Sequence, residues 1–250
     1  MSGHNKWSTI KHKKAKTDAA KGKAFTKAAM EIMAAVKAGG PDAGGNSRLR
    51  MAIQSGKDVN MPNDNIKRAI EKASGGGDGV IIEDITYEGY GPEGVALLIQ
   101  VTTDNRNRAA SEVRSTLEKN GGNLGSSGSV AWVFDQKGVI VFEPGKATEE
   151  KVMEIAIDAG AEDILANEDG SIEVSTSPDS FMKVREALEK AKLEMASAKL
   201  SMIPKNTVKI EDPETAKKIM GLVDALEEKD DVQNVYANYD IPDAIMSKFE

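Results

Sequence analysis

Between Ala24 and Val36 the apolar residues fall at Phe25, Ala28, Ala29, Ile32, Met33 and Val36, a single stripe at helical spacing. Lys23, Lys27 and Lys37 lie away from its centre. The run "AGGPDAGGN" breaks the chain, and Asn46 or Ser47 then caps a second helix through Arg48, Leu49, Ala52 and Ile53. "GKDVNMPNDN" breaks it again, and Pro62 opens a third helix with Ile66, Ala69, Ile70 and Ala73 inward. Three such helices close a small bundle. Residues 1–17 add almost nothing to any apolar face and are expected to form an extended arm or a frayed helix.

"SGGGDG" at 74–79 is the clearest linker, and the period changes beyond it. "VIIEDITYEGYG" and "VALLIQVTTD" read as strands joined by a turn at Gly91, Pro92, Glu93 and Gly94. Thr103 or Asp104 caps a helix with Ala109, Val113 and Leu117 on one face, ended by Asn120, Gly121 and Gly122. "SVAWVF" reads as a further strand. "GVIVFE" is a strand, and Thr148 caps the helix after it. A hairpin turns at Asp169–Gly170, and a helix capped by Ser177 opens at Pro178. The strand "EMASAKLSMIP" completes a βαββαβ, ferredoxin-like order. The late strands "TVKI" and "VQNVYANYD", around a helix started by Asp212 and Pro213, are too few for a domain and join the 80–136 elements. The predicted fold class is therefore α+β in three domains. These are a basic helical domain over 1–75, a central α+β domain over 80–136 plus 205–250, and a ferredoxin-like domain over 137–204 inserted in the central one.

Composition narrows the chemistry. The 250 residues include no cysteine, which excludes disulfides and thiolate metal sites, and only two histidines, His4 and His12. No cofactor or metal is expected. No run approaches the ~18 apolar residues of a membrane span, and the basic N-terminus lacks the apolar stretch of a secretory signal. A cytoplasmic protein is expected. Aromatics are 4% of the chain, so the methionines serve as core filler.

Charge is divided sharply. Residues 1–72 hold 12 Lys and 3 Arg against 6 acids, a net of +9, and the remainder holds 18 basic against 34 acidic residues, a net of −16. A polyanion would meet the first third and repel the rest. The candidate nucleic-acid contacts are Lys6, Trp7, Lys11, His12, Lys13, Lys14, Lys16, Lys21, Lys23 and Lys27, widened by Arg48, Arg50, Lys67 and Arg68. Lysines neutralise phosphates and release counterions, and a tryptophan can stack on an unpaired base. The competing interpretation is a solvated, solubilising arm. The opposed charge sign, the lone Trp7 and the scarcity of disorder-promoting residues weigh against it.

Other motifs carry less. Gly89-Tyr-Gly91-Pro-Glu-Gly94 fits a dinucleotide fingerprint, but a strand follows it where a helix must open. The acid pairs Glu149–Glu150, Glu227–Glu228 and Asp230–Asp231 read as solvated surface, and Arg106 and Arg108 as exposed helix arginines. With no nucleophile–base pair, no enzyme is expected.

"SGHNKWSTIKHKKAKTDAAKGKAFTK", "GGNSRLRMAI", "NMPNDNIKRAIEKASG" and "YEGYGPEGVALLIQVTTDNRNRAASEVR" closely resemble the YebC family. That family is related to the mitochondrial translational activator of cytochrome c oxidase subunit one. Ser2 and Asn5 stand where the family often has Ala and Ser, and neither changes a charge. The resemblance covers essentially the whole chain. It implies three domains with an inserted ferredoxin-like domain and a cytoplasmic, non-enzymatic protein partnered by nucleic acid. It also implies either a transcriptional regulator on duplex DNA or a ribosome-associated translation factor on ribosomal RNA that relieves stalling. No membrane or small-molecule partner is implied. A protein-interaction scaffold is the remaining alternative. No helix presents base-reading Asn, Gln and Arg at its N-terminal end, which weighs against sequence-specific DNA reading.

Overall fold

The computed structural model describes residues 18–75, 82–167, 169–246 and 249. The chain divides into two compact units, one of residues 1–133 with 206–250 and one of residues 134–205.

In the first unit, the predicted stripes become helices α1 (Asp18–Gly39), α2 (Ser47–Asp58) and α3 (Asn63–Ser74). Their buried faces form one core, with Ile32, Ala35 and Val36 of α1 against Leu49 and Ala52 of α2 and Ile66, Ala69 and Ala73 of α3. Asn46 is the α2 cap, its Oδ1 accepting from Leu49 N at 3.0 Å while its Nδ2 donates to Ala35 O and Gly40 O.

A second core of the same unit forms on an antiparallel sheet. Strand β1 (Glu83–Tyr90) pairs with β2 (Ala96–Thr103) from Glu83↔Thr103 to Tyr90↔Ala96. Helix α4 (Arg106–Lys119) follows, then the two-residue strand β3 (Asn123–Leu124) beside β1. The late strand β9 (Val232–Ala237) pairs with the far edge of β2 and gives the order β3-β1-β2-β9. Leu97, Ile99 and Val101 of β2 are buried with Ala109, Val113 and Leu117 of α4 and with Ile219, Leu222 and Leu226 of α7 (Pro213–Glu227). Asp212 caps α7 by accepting from Thr215 N. Short strands β8 (Val208–Lys209) and β10 (Tyr239–Asp240) pair in parallel beside this sheet, and a one-turn helix α8 (Asp243–Met246) follows.

The second unit runs β4 (Phe134–Phe142), α5 (Glu149–Ala159), β5 (Ala161–Ala166), β6 (Ile172–Thr176), α6 (Phe181–Lys190) and β7 (Ser197–Pro204). Its antiparallel sheet has the order β5-β6-β4-β7, the ferredoxin-like arrangement. Gly138 of β4 is a close-approach site, because a Cβ there would overlap Thr176 Oγ1 and Phe181. We propose that this unit folds alone. Expressed as residues 134–205, it should melt in one cooperative transition by circular dichroism, and a fragment without such a transition would exclude that autonomy.

Four expectations need correction. "SVAWVF" is not one strand, since Ala131–Val133 is a 3₁₀ turn and only Phe134 enters β4. The side chain of Glu88 takes the Gly128, Val130 and Ala131 amides that strand pairing would use. The α4 cap is Asn105, not the expected Thr103 or Asp104. Thr103 is buried and donates to Asp231. Helix α6 begins at Phe181 because Ser177 Oγ accepts from Ser180 N, holding 178–180 in a turn. Finally, Asp231 is only 8% exposed, so it is no solvated acid. Both its oxygens accept from Arg108, whose Nη2 lies 2.8 Å from Oδ2 and 3.0 Å from Oδ1, so Arg108 is committed as well.

Candidate nucleic-acid interface

Lys6, Trp7, Lys11, His12, Lys13, Lys14 and Lys16 lie outside the described residues, as does the side chain of Lys21 in the first turn of α1. The other candidates separate into two groups.

Four are committed within the unit. Lys27 Nζ donates to Glu227 O at 2.9 Å, and Lys23 Nζ donates to Glu228 O at 3.1 Å. Those carbonyls close the C-terminal end of α7, where a helix collects partial negative charge, so the two ammonium groups cap it. Arg48 bridges Glu31 of α1 at 3.0 Å and Asp84 of β1 at 2.6 Å. Burial opposes the Arg48 charge, but the bonds to Asp84 and Glu31 outweigh it and hold the guanidinium firmly protonated. Arg50 Nη1 donates to Ala43 O and Gly44 O and ties down the loop before α2. These residues fasten α1 and α2 to neighbouring elements, a use that competes with phosphate.

Lys67 and Arg68 are different. They stand on the exposed face of α3, away from buried Ile66, Ala69 and Ala73, and make no hydrogen bond or ion pair among the described residues. Lys37, Lys57 and Lys72, which sequence reasoning did not single out, are also exposed. Each sits in the last turn of its helix, where a cation favours the dipole. Within α1, α2 and α3 the open positive charge therefore lies on the outer face of α3 and in the last turn of each helix.

Catalytic features are sparse by comparison. Among the described residues one carboxyl is raised, Glu173 of β6, pushed up to about 7 by burial and then by the neighbouring Asp163 charge. No group of three His, Cys, Asp or Glu residues suits a metal among the described residues. The Gly89–Gly94 segment carries a 3₁₀ turn over Pro92–Gly94 and leads into β2, not into a helix. Among the described residues no helix is long and apolar enough to cross a membrane.

Comparison with known proteins follows the same division of the chain. Residues 5–76 match the family model for the TACO1/YebC protein N-terminal domain, and residues 82–239 match that for the TACO1/YebC second and third domain. A protein of Geotalea uraniireducens is 55% identical over 248 residues, covering 99% of each chain. One of Syntrophobacter fumaroxidans is 52% identical over 248 residues with the same coverage. Both are named probable transcriptional regulatory protein. The crystal structure of a conserved hypothetical protein from Aquifex aeolicus superposes with a TM-score of 0.86 at 47% identity, covering 95% of this chain and 98% of that one. With both family models spanning most of its length and relatives matching it end to end, the chain belongs to the TACO1/YebC family.

Proposed function

We propose that the protein is a non-enzymatic, nucleic-acid-binding regulator of gene expression that docks through its basic first third. The observation that carries this is the partition of charge, +9 over residues 1–72 and −16 over the rest. A chain so divided binds a polyanion in one orientation. The names of the relatives support a regulator of transcription; duplex DNA is the target we propose for that role. Since Lys23, Lys27, Arg48 and Arg50 are held by internal partners, the phosphate contacts fall to the lysines of residues 6–16, with Lys67 and Arg68 of α3 as the supporting surface.

Trp7 favours a second target. Placed among lysines, an indole gains little from a duplex whose bases are stacked, but it can stack on an unpaired base of ribosomal RNA. On that interpretation the protein is a ribosome-associated translation factor. Trp7→Ala and Lys13→Ala/Lys14→Ala proteins should be titrated against purified ribosomes and against a random DNA duplex. The double lysine change should weaken both complexes and flatten their salt dependence by about two phosphates. Trp7→Ala should weaken only the ribosome complex, by roughly tenfold or more. Equal indifference of both targets to Trp7 would leave duplex DNA as the target. Indifference of both to the lysines would exclude nucleic-acid binding through this segment and favour a protein-interaction scaffold.

A further inference from the structure

Trp132 is 64% exposed in a chain with two tryptophans. Its surroundings are built to hold it there. Glu88, 6% exposed, points its carboxylate into the loop that precedes the indole. Gly128 N donates to Oε1 at 2.6 Å, and Val130 N and Ala131 N donate to Oε2 at 2.7 and 2.8 Å. Gly125 N adds a bond to Glu88 O. The carbonyl of Ser129 receives both the Tyr90 hydroxyl at 3.1 Å and the indole Nε1–H at 3.0 Å.

Two consequences narrow the occupant. The indole N–H is turned inward, so the ring offers no hydrogen bond to a partner, only its π faces. The Gly128, Val130 and Ala131 amides are spent on Glu88, so an anion cannot use these three. The stretch "NGGNLGSSGSVAWVF" at 120–134 contains no charged residue, in a chain that is 29% charged. The stretch itself neither attracts nor repels a phosphodiester strand, and it lies in the part of the chain whose net charge is −16, so any hold there comes from the flat, sequence-tolerant face of the ring and the electrostatic hold from the basic N-terminal segment.

We infer that Trp132 is a stacking platform for an unpaired RNA base, a second point of contact besides the basic N-terminal segment; the inference rests on the RNA interpretation above. A Trp7→Phe protein leaves Trp132 as the sole tryptophan. Titrated with a single-stranded oligouridylate, its indole emission should be quenched, and an RNA duplex of equal phosphate count should leave it unchanged. In the full chain, Trp132→Ala should weaken oligouridylate binding about tenfold, and Trp132→Tyr should restore most of that loss. Unchanged emission at an oligouridylate concentration that filter binding shows to saturate the Trp7→Phe protein, or affinities within twofold for all three proteins, would overturn the platform. Quenching by a proline-rich peptide in place of the oligonucleotide would also overturn it, in favour of a protein partner. Because quenching is read with Trp132 itself in place, misfolding of the alanine variant cannot mask the result. If Lys13→Ala/Lys14→Ala abolishes RNA binding while Trp132 is inert, only this inference fails. If neither change matters, the nucleic-acid interpretation fails with it.

Discussion

Deletion of residues 1–16 should lower the affinity for nucleic acid by at least ~100-fold near physiological salt. It removes Lys6, Lys11, Lys13, Lys14 and Lys16 at once. Five phosphates released would reduce the log–log salt slope by about 4.5 on duplex DNA and about 3.5 on single strands. The thermal midpoint should barely move. The helical core is closed by residues from Ile32 onward, and the deleted segment adds few apolar side chains. Filter binding across a salt series, with a calorimetric melt of the same samples, checks both halves. A truncated protein that binds as tightly as the full chain would move the contact to α3 or beyond.

The second large effect is expected at Glu88. Burial alone would push its carboxyl up, but the amides of Gly128, Val130 and Ala131 outweigh burial and hold it below the usual carboxylate range. Glu88→Gln keeps the shape, loses the charge, and turns an NH2 group toward an amide donor. With hydrogen bonds to a charged group contributing about 1.5–3 kcal/mol each, and one of them becoming a donor–donor clash, a loss of about 3 kcal/mol is expected. The sign with pH is fixed by the lowered value. The contribution of Glu88 is fully present above the unfolded-state pKa of roughly 4.3 and is lost as pH falls through the folded-state value. Wild-type protein should lose its advantage over Glu88→Gln in acid, with the two urea midpoints converging there. A constant gap from pH 7 down to pH 2 would show that the carboxylate charge is not what holds the loop.

What was legible in the sequence was local. The stripes of α1, α2 and α3 and the caps Asn46, Thr148 and Asp212 each depend on side chains a few residues apart, so periodicity and capping chemistry suffice to find them. The Asp169–Gly170 turn is of the same kind, with Gly170 at a φ of +83° that favours glycine. What escaped notice was long-range. Asp231 meets Arg108 across 123 positions, and Lys27 meets the end of α7 across 200. No local pattern distinguishes such residues from solvated charges. The same blindness affected the candidate interface. Lys23, Lys27, Arg48 and Arg50 have the right charge for phosphate, and only their tertiary partners reveal the competing use.

The sheet of the first unit has a consequence for the chain while it is being made. Ala96 N, at the start of β2, reaches its partner Asn238 Oδ1 only 142 residues later. At a synthesis rate of about 5–20 residues per second, the edge of β2 that awaits β9 stays open for on the order of 10 s after β2 itself has been added. The strand is "ALLIQVTT", almost wholly buried once folded. Such an edge is a template for pairing with other nascent chains. Meanwhile all the residues of the second unit, 134–205, are completed before β9 exists. Slow codons or a holding chaperone acting between residues 104 and 231 would therefore change the yield of native protein far more than the same delay placed after Ala237.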